Sequence, residues 1–142
     1  MRRLLCVLPV LALLTACGGG SSPTTPTISP QPFTVTDLRV GTGAEAVNGK
    51  VLTVNYAGWL YSTSAAENKG TLFGTTVGST PFSFTLGAGG VIRGWDQGLV
   101  GIKVGGVRRL VIPPELAYGA TGNQTIPPNA NLVFEVELLG VQ

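Results

Sequence analysis

The chain has 142 residues, with nine basic and seven acidic side chains and no histidine, a length that fits one domain plus an appendage. Arg2 and Arg3 carry the whole positive excess, so the rest is neutral and offers no electrostatic footprint for nucleic acid. Without histidine there is no imidazole for metal ligation, a catalytic triad or a proton shuttle, which argues against most hydrolytic mechanisms.

Met1-Arg2-Arg3 followed by the apolar run Leu4–Leu14 reads as a secretory signal peptide over residues 1–16. The run has 11 residues, against the roughly 20 that a helix needs to span a bilayer. It ends in Leu14-Thr15-Ala16-Cys17, which resembles the lipobox of bacterial lipoproteins. That resemblance implies cleavage before Cys17 and acylation of its sulfur and new amino terminus. Cys6 would leave with the signal peptide, so Cys17 would be the sole cysteine and no disulfide could form. Residues 17–32, rich in Gly, Ser and Pro, read as a tether with nothing apolar to bury. An exported, lipid-anchored protein is expected, with Gly18 favouring the outer membrane of a Gram-negative bacterium, facing the periplasm.

From Phe33 to Gln142 the pattern is that of a folded domain. Residues 35–40 suggest a strand, Asn48-Gly49 a turn, and residues 51–60 a long strand in which Val51, Thr53 and Asn55 alternate with Leu52, Val54 and Tyr56. Residues 61–70 read as a loop or flap, followed by short strands at 71–73 and 82–86. Ile92, Trp95, Leu99 and Ile102 then fall on one helical stripe. Gly94, Gly98 and Gly101 would each cost such a helix about 1 kcal/mol relative to Ala. Tertiary packing must therefore hold it, and its bare side can lie close against a sheet. Strands at 107–112 and 132–139 flank an irregular loop over 115–129. Five or six strands and one short helix predict an antiparallel α+β domain.

Three segments taken together closely resemble the FKBP-type peptidyl-prolyl cis–trans isomerases. They are Val91-Ile92-Arg93-Gly94-Trp95-Asp96-Gln97-Gly98-Leu99, Ala117-Tyr118-Gly119-Ala120-Thr121-Gly122 and Ile126-Pro127-Pro128. The resemblance covers 33–142 and implies a curved antiparallel sheet of five to six strands wrapped on one short central helix. It also implies a shallow aromatic bowl with Trp95 as floor and Tyr56, Phe73, Phe82 and Phe134 as walls. Val91 and Ile92 would form the rim, the Ile92 N–H receiving a ligand carbonyl. Tyr118 would donate its hydroxyl to the substrate carbonyl, and Ile126 would supply the apolar end of an overhanging loop. Phe84 and Trp59 have no such match and read as structural.

The sequence departs from the family pattern in two places. The phenylalanine matched by Phe73 is usually followed by aspartate, where this chain has Gly74. The overhanging loop, Gly122-Asn123-Gln124-Thr125-Ile126, is one residue short and carries Asn123 where histidine is common.

A bowl without strongly titrating groups suits the implied chemistry. Amide resonance opposes rotation by about 18–20 kcal/mol, and X–Pro exchange takes tens to hundreds of seconds although its ground states are nearly balanced. No bond breaks, so no nucleophile, metal or cofactor is needed. The twisted transition state has a less polar carbonyl, which an apolar, dry site favours over the planar form. The expected function is prolyl isomerisation in exported polypeptides during folding. The alternative is a proline-binding chaperone module with weak or no activity. Expected partners are proline-containing polypeptides, macrolides such as tacrolimus or rapamycin and, through the anchor, a membrane; the domain is expected to be monomeric.

Overall fold

The computed structural model describes residues 29–142. The signal peptide of residues 1–16, the lipidation site Cys17 and the tether as far as residue 28 lie outside the described residues. Six strands form one antiparallel sheet: β1 (Thr34–Arg39), β2 (Val51–Tyr61), β3 (Lys69–Thr75), β4 (Phe82–Thr85), β5 (Val107–Ile112) and β6 (Leu132–Val141). The order is β1-β5-β6-β2-β3, and β4 pairs with the first half of β2, on the edge that β3 occupies further along. Irregular register between Gly58 and Tyr61 bends the β2–β3 pair. The strands run within two residues of the bounds read from the sequence, β1 and β4 each ending one residue early. The 61–70 loop gives up both ends to β2 and β3.

The helix α1 (Arg93–Gly98) is shorter than its apolar stripe suggests. Trp95 lies within it, Ile92 and Leu99 are its caps, and Ile102 lies beyond it, with Gly101 at φ 84. Trp95, Leu99 and Ile102 are nevertheless all buried. The glycines explain the packing. A Cβ on Gly94 would stand 2.6 Å from Ile112 Cγ2, and one on Gly98 would stand 2.7 Å from Leu110 Cδ2. The helix thus lies on β5 at a distance only glycine permits.

Arg108, on the helix-facing side of β5, completes this junction. Its Nη1 donates to the Gly98 and Val100 carbonyls at 2.9 Å each, and its Nε donates to Asp37 Oδ1 at 2.6 Å. A nearly buried guanidinium therefore satisfies carbonyls at the helix C-terminus, which also favours positive charge. Leu52, Val54, Leu86, Leu99, Leu110, Ile112, Leu132, Val136 and Leu138 fill the core between sheet and helix.

The tether expectation is corrected at its end. Asn131, 2% exposed, donates through Nδ2 to the Ser29 carbonyl at 3.0 Å and accepts from the Gln31 N–H at 2.8 Å. The chain is therefore docked on the domain from Ser29 onward, four residues ahead of Phe33. Nothing in the sequence of the Pro-rich segment announces this. Its signal is a lone asparagine ahead of an apolar strand.

Candidate functional site

Strand alternation gathers the site. On β2 and β6, Tyr56 lies opposite Val136 and Gly58 opposite Phe134, so Tyr56 and Phe134 share the sheet face that looks toward α1. Gly58 leaves room for rings: a Cβ there would stand 2.7 Å from both Phe73 Cζ and Phe134 Cε1. Trp95 rises from α1 into this space, 4% exposed. Its ring centroid lies 5.2 Å from that of Tyr56, 5.3 Å from Phe134, 5.5 Å from Phe84 and 6.2 Å from Phe82. The Tyr56, Phe82 and Phe134 pairs are near-perpendicular, the edge-to-face arrangement that ring quadrupoles prefer. Phe73 meets Phe134 in the same way at 5.4 Å.

The result is an open bowl of about 190 Å³ lined by Tyr56, Phe73, Phe82, Gly90, Val91, Ile92, Trp95, Tyr118 and Phe134. Eight of these nine were singled out from the sequence as site residues, Gly90 being the addition. Ile126 is not among them. It is 2% exposed and belongs to the hydrophobic core. The overhanging loop turns it inward because Asn123 Oδ1 accepts from the Ile126 N–H at 2.8 Å and the Thr125 N–H at 2.9 Å. Asn123 is thus a turn former, and Ile126 anchors the loop from below. Phe84, read as structural, is buried behind Trp95 and stacks on Phe82 at 5.8 Å. Trp59 lies outside the bowl, with Lys69 Nζ over its ring at 4.8 Å.

Two supporting devices escaped the sequence reading. Asp96 accepts from the Gly87 N–H at 2.8 Å and from the Gly89 N–H at 3.1 Å. This carboxylate ties the helix to the turn that presents Gly90, Val91 and Ile92, with Gly87 and Gly89 at positive φ. The signal was an acidic residue in the first helical turn behind a glycine cluster. The second device is Thr75-Thr76. The Tyr56 N–H donates to Thr76 Oγ1 at 3.0 Å, and its carbonyl accepts from the Thr76 N–H at 2.9 Å and from Thr75 Oγ1 at 3.0 Å. Three hydrogen bonds fix the backbone of the wall that carries the Tyr56 phenol.

The polar chemistry of the bowl is sparse. None of its lining residues carries an ionised side chain at neutral pH. Burial, and then the nearby Tyr56 phenol, push the Tyr118 hydroxyl above its usual range, so it stays protonated. The Ile92 N–H makes no hydrogen bond among the described residues, while the Ile92 carbonyl accepts from Trp95 at 3.0 Å. Trp95 Nε1 is buried without a hydrogen-bond partner among the described residues. The site therefore offers apolar faces and neutral donors, arranged to hold a small ring and a carbonyl. It holds no group suited to nucleophilic attack.

The profile of the FKBP-type peptidyl-prolyl cis-trans isomerase family matches residues 43–139. The FK506-binding protein of Neisseria meningitidis serogroup A is 51% identical over 109 residues, spanning 75% of this chain and 94% of that protein. Among solved structures, FkpA from Escherichia coli is 43% identical with a TM-score of 0.66, covering 78% of this chain. This chain spans 48% of FkpA. AtFKBP13 is 36% identical with a TM-score of 0.67, covering 78% of this chain and 93% of that one. With a family profile across most of the chain and a relative matched over nearly its whole length, this chain belongs to the FKBP-type peptidyl-prolyl cis-trans isomerases.

Proposed function

We propose that this isomerase acts on exported polypeptides during their folding, held at the periplasmic face of an outer membrane by a lipid on Cys17. The observation carrying the catalytic part is the uncharged aromatic bowl around Trp95. A proline ring resting on the indole is gripped by edge-on rings, and a carbonyl beside it is within the province of the Tyr118 hydroxyl and the Ile92 N–H. The planar amide is the more polar state and gives up more hydration on entering than the twisted one does. The bowl therefore lowers the rotational barrier by binding the twisted form better, and each ~1.4 kcal/mol of that difference is worth tenfold in rate. Metal and cofactor have no step to perform. Macrolides of the FK506 type, which the family binds and for which the Neisseria relative is named, are expected to compete for the same bowl.

The anchor rests on Leu14-Thr15-Ala16-Cys17 and the run before it. The test has two arms. A protease-coupled assay on X–Pro peptides should show catalysis that rapamycin inhibits, and refolding of a proline-limited protein should accelerate. Peptide binding without turnover would favour a chaperone module, the reading to which Gly74 lends support. For the anchor, the mature protein should partition into detergent and carry acyl mass, and Cys17→Ala should release it or stall its processing. An unmodified Cys17 in a soluble mature form would overturn that part.

A further inference from the structure

We propose that Asp96 is a positioning residue for the bowl, holding the peptide groups of the 87–92 segment in place before any ligand arrives. This rests on the reading of the bowl as a prolyl-peptide site. Asp96 lies in the first turn of α1 and is not among the lining residues. It nevertheless closes both ends of the segment that forms the rim. Its N–H donates to the Ile92 carbonyl at 3.3 Å, while Oδ1 and Oδ2 accept from the Gly87 and Gly89 N–H groups at 2.8 Å and 3.1 Å.

The turn has little else to hold it. Residues 87–90 are all exposed. Among the described residues, the only backbone–backbone hydrogen bond made by 87–91 runs from the Ala88 N–H to the Thr85 carbonyl, at 3.4 Å. A Cβ on Gly87 would stand 2.7 Å from Asn48 Oδ1, so that end also leans on a neighbour. A Cβ on Gly89 or Gly90 would meet nothing within 4 Å. Glycine loses more backbone freedom on being fixed than any other residue, and this stretch has three. The Val91 and Ile92 side chains pack against the core, yet the Ile92 N–H has no partner among the described residues. Its direction follows from the peptide groups ahead of it, and Asp96 is the side chain that fixes them.

A ligand that meets a loose rim must order it, and that cost is subtracted from affinity. Asp96 orders the rim in the free protein. The clamp stays the same while the bound amide rotates, so it acts on binding and leaves the barrier alone. It also needs both carboxylate oxygens. Asparagine offers one oxygen and an NH2 group, so with the oxygen on the Gly87 N–H, the NH2 would face the Gly89 N–H, donor against donor. Glutamate keeps two acceptors on a stem one methylene longer.

The test compares wild type, Asp96→Asn and Asp96→Glu. Each is measured for kcat and KM on an uncharged Leu-Pro peptide, for rapamycin affinity by tryptophan fluorescence, for melting temperature, and for 15N relaxation of 87–92 without ligand. Asp96→Asn should raise KM and weaken rapamycin binding by about 5- to 30-fold, equivalent to fixing one residue's backbone. Its kcat should stay within about 2-fold, its melting temperature should fall by less than about 8 °C, and the backbone of 87–92 should become more mobile. Asp96→Glu should recover most of the lost affinity and the rigidity of the turn. Unchanged KM and rapamycin affinity in Asp96→Asn overturn the assignment. So does a larger fall in melting temperature with affinity intact, an unaltered turn in the relaxation data, or an Asp96→Glu variant no better than Asp96→Asn. If the wild type turns over no peptide, the isomerase reading fails while rapamycin affinity and relaxation still decide the role of Asp96. Binding of neither ligand by the wild type overturns both.

Discussion

The two faces of the sheet put adjacent residues of one strand to opposite uses. Phe134 of β6 faces α1 and forms part of the bowl, and its neighbour Glu135 points to the other side. There Glu135 Oε1 accepts from Lys69 Nζ at 2.7 Å and from Arg109 Nη2 at 2.7 Å. Glu67 closes the ring through the same Lys69 at 2.9 Å and Arg109 at 2.7 Å. On this face each of the four charges has two partners, and β3, β5, β6 and the 66–68 turn are joined. That turn needs a clamp, because Glu67 and Asn68 both sit at positive φ, 54° and 59°. On the bowl face, donors are left without partners and rings are left partly open. The outer face is satisfied within the protein, whereas the inner face is completed only by a ligand.

Removing the floor is expected to have the largest effect. Trp95→Ala should destabilise the protein by about 3–5 kcal/mol, as a large-to-small change in a packed core, and should abolish peptide and macrolide binding. Denaturant melts and a binding titration would check both, and retained affinity would remove Trp95 from the site. Next comes a change that separates the bowl's function from its packing. Tyr118→Phe deletes one hydroxyl from a residue 37% exposed, so the melting temperature should not move while kcat/KM falls by about 2- to 12-fold. Loss of stability with activity following it would move Tyr118 to the structural side of the comparison.

The smallest effect belongs to the outer face, because its charges are screened by water. Hydrogen bonds from Lys69 and Arg109 hold the Glu67 carboxyl down from 4.5 to about 2. Burial of Glu135 opposes ionisation, but Lys69 and Arg109 outweigh it and also bring that carboxyl below its ordinary range. Both groups hold their protons less tightly in the folded state than in the unfolded one. The Glu67 contribution is therefore complete above pH 4.5 and lost as the pH falls toward 2, and that of Glu135 is likewise lost on acidification. The difference in melting temperature between wild type and Glu67→Gln should be constant at neutral pH and close across that interval. A difference that persists to pH 2 would show that the ring of charges adds nothing beyond side-chain shape. Isomerase activity at neutral pH should be the same in both, since Glu67 lies outside the bowl.

Strand placement was legible in the sequence from local periodicity, whereas the aromatic bowl and its floor came only from the resemblance to the family. Gly94 and Gly98 could be read as a bare helix face, and a bare face permits only close approach. Where residues moved from their expected places, the cause was a partner distant in the chain. Asn131 reaches back to Ser29 and Gln31, extending the domain beyond Phe33. Asn123 turns its loop so that Ile126 points into the core instead of over the bowl. Asp96 organises the glycine turn that supplies Gly90 to the rim. None of these follows from spacing, since a side-chain hydrogen bond to a backbone group depends on a meeting in space that sequence order does not encode. The sequence by itself determined the family, the α+β pattern and eight of the nine residues that line the bowl. Tertiary structure decided which side chains were left without partners. That depends on what stands within about 4 Å, as Trp95 Nε1, buried and unpartnered among the described residues, shows.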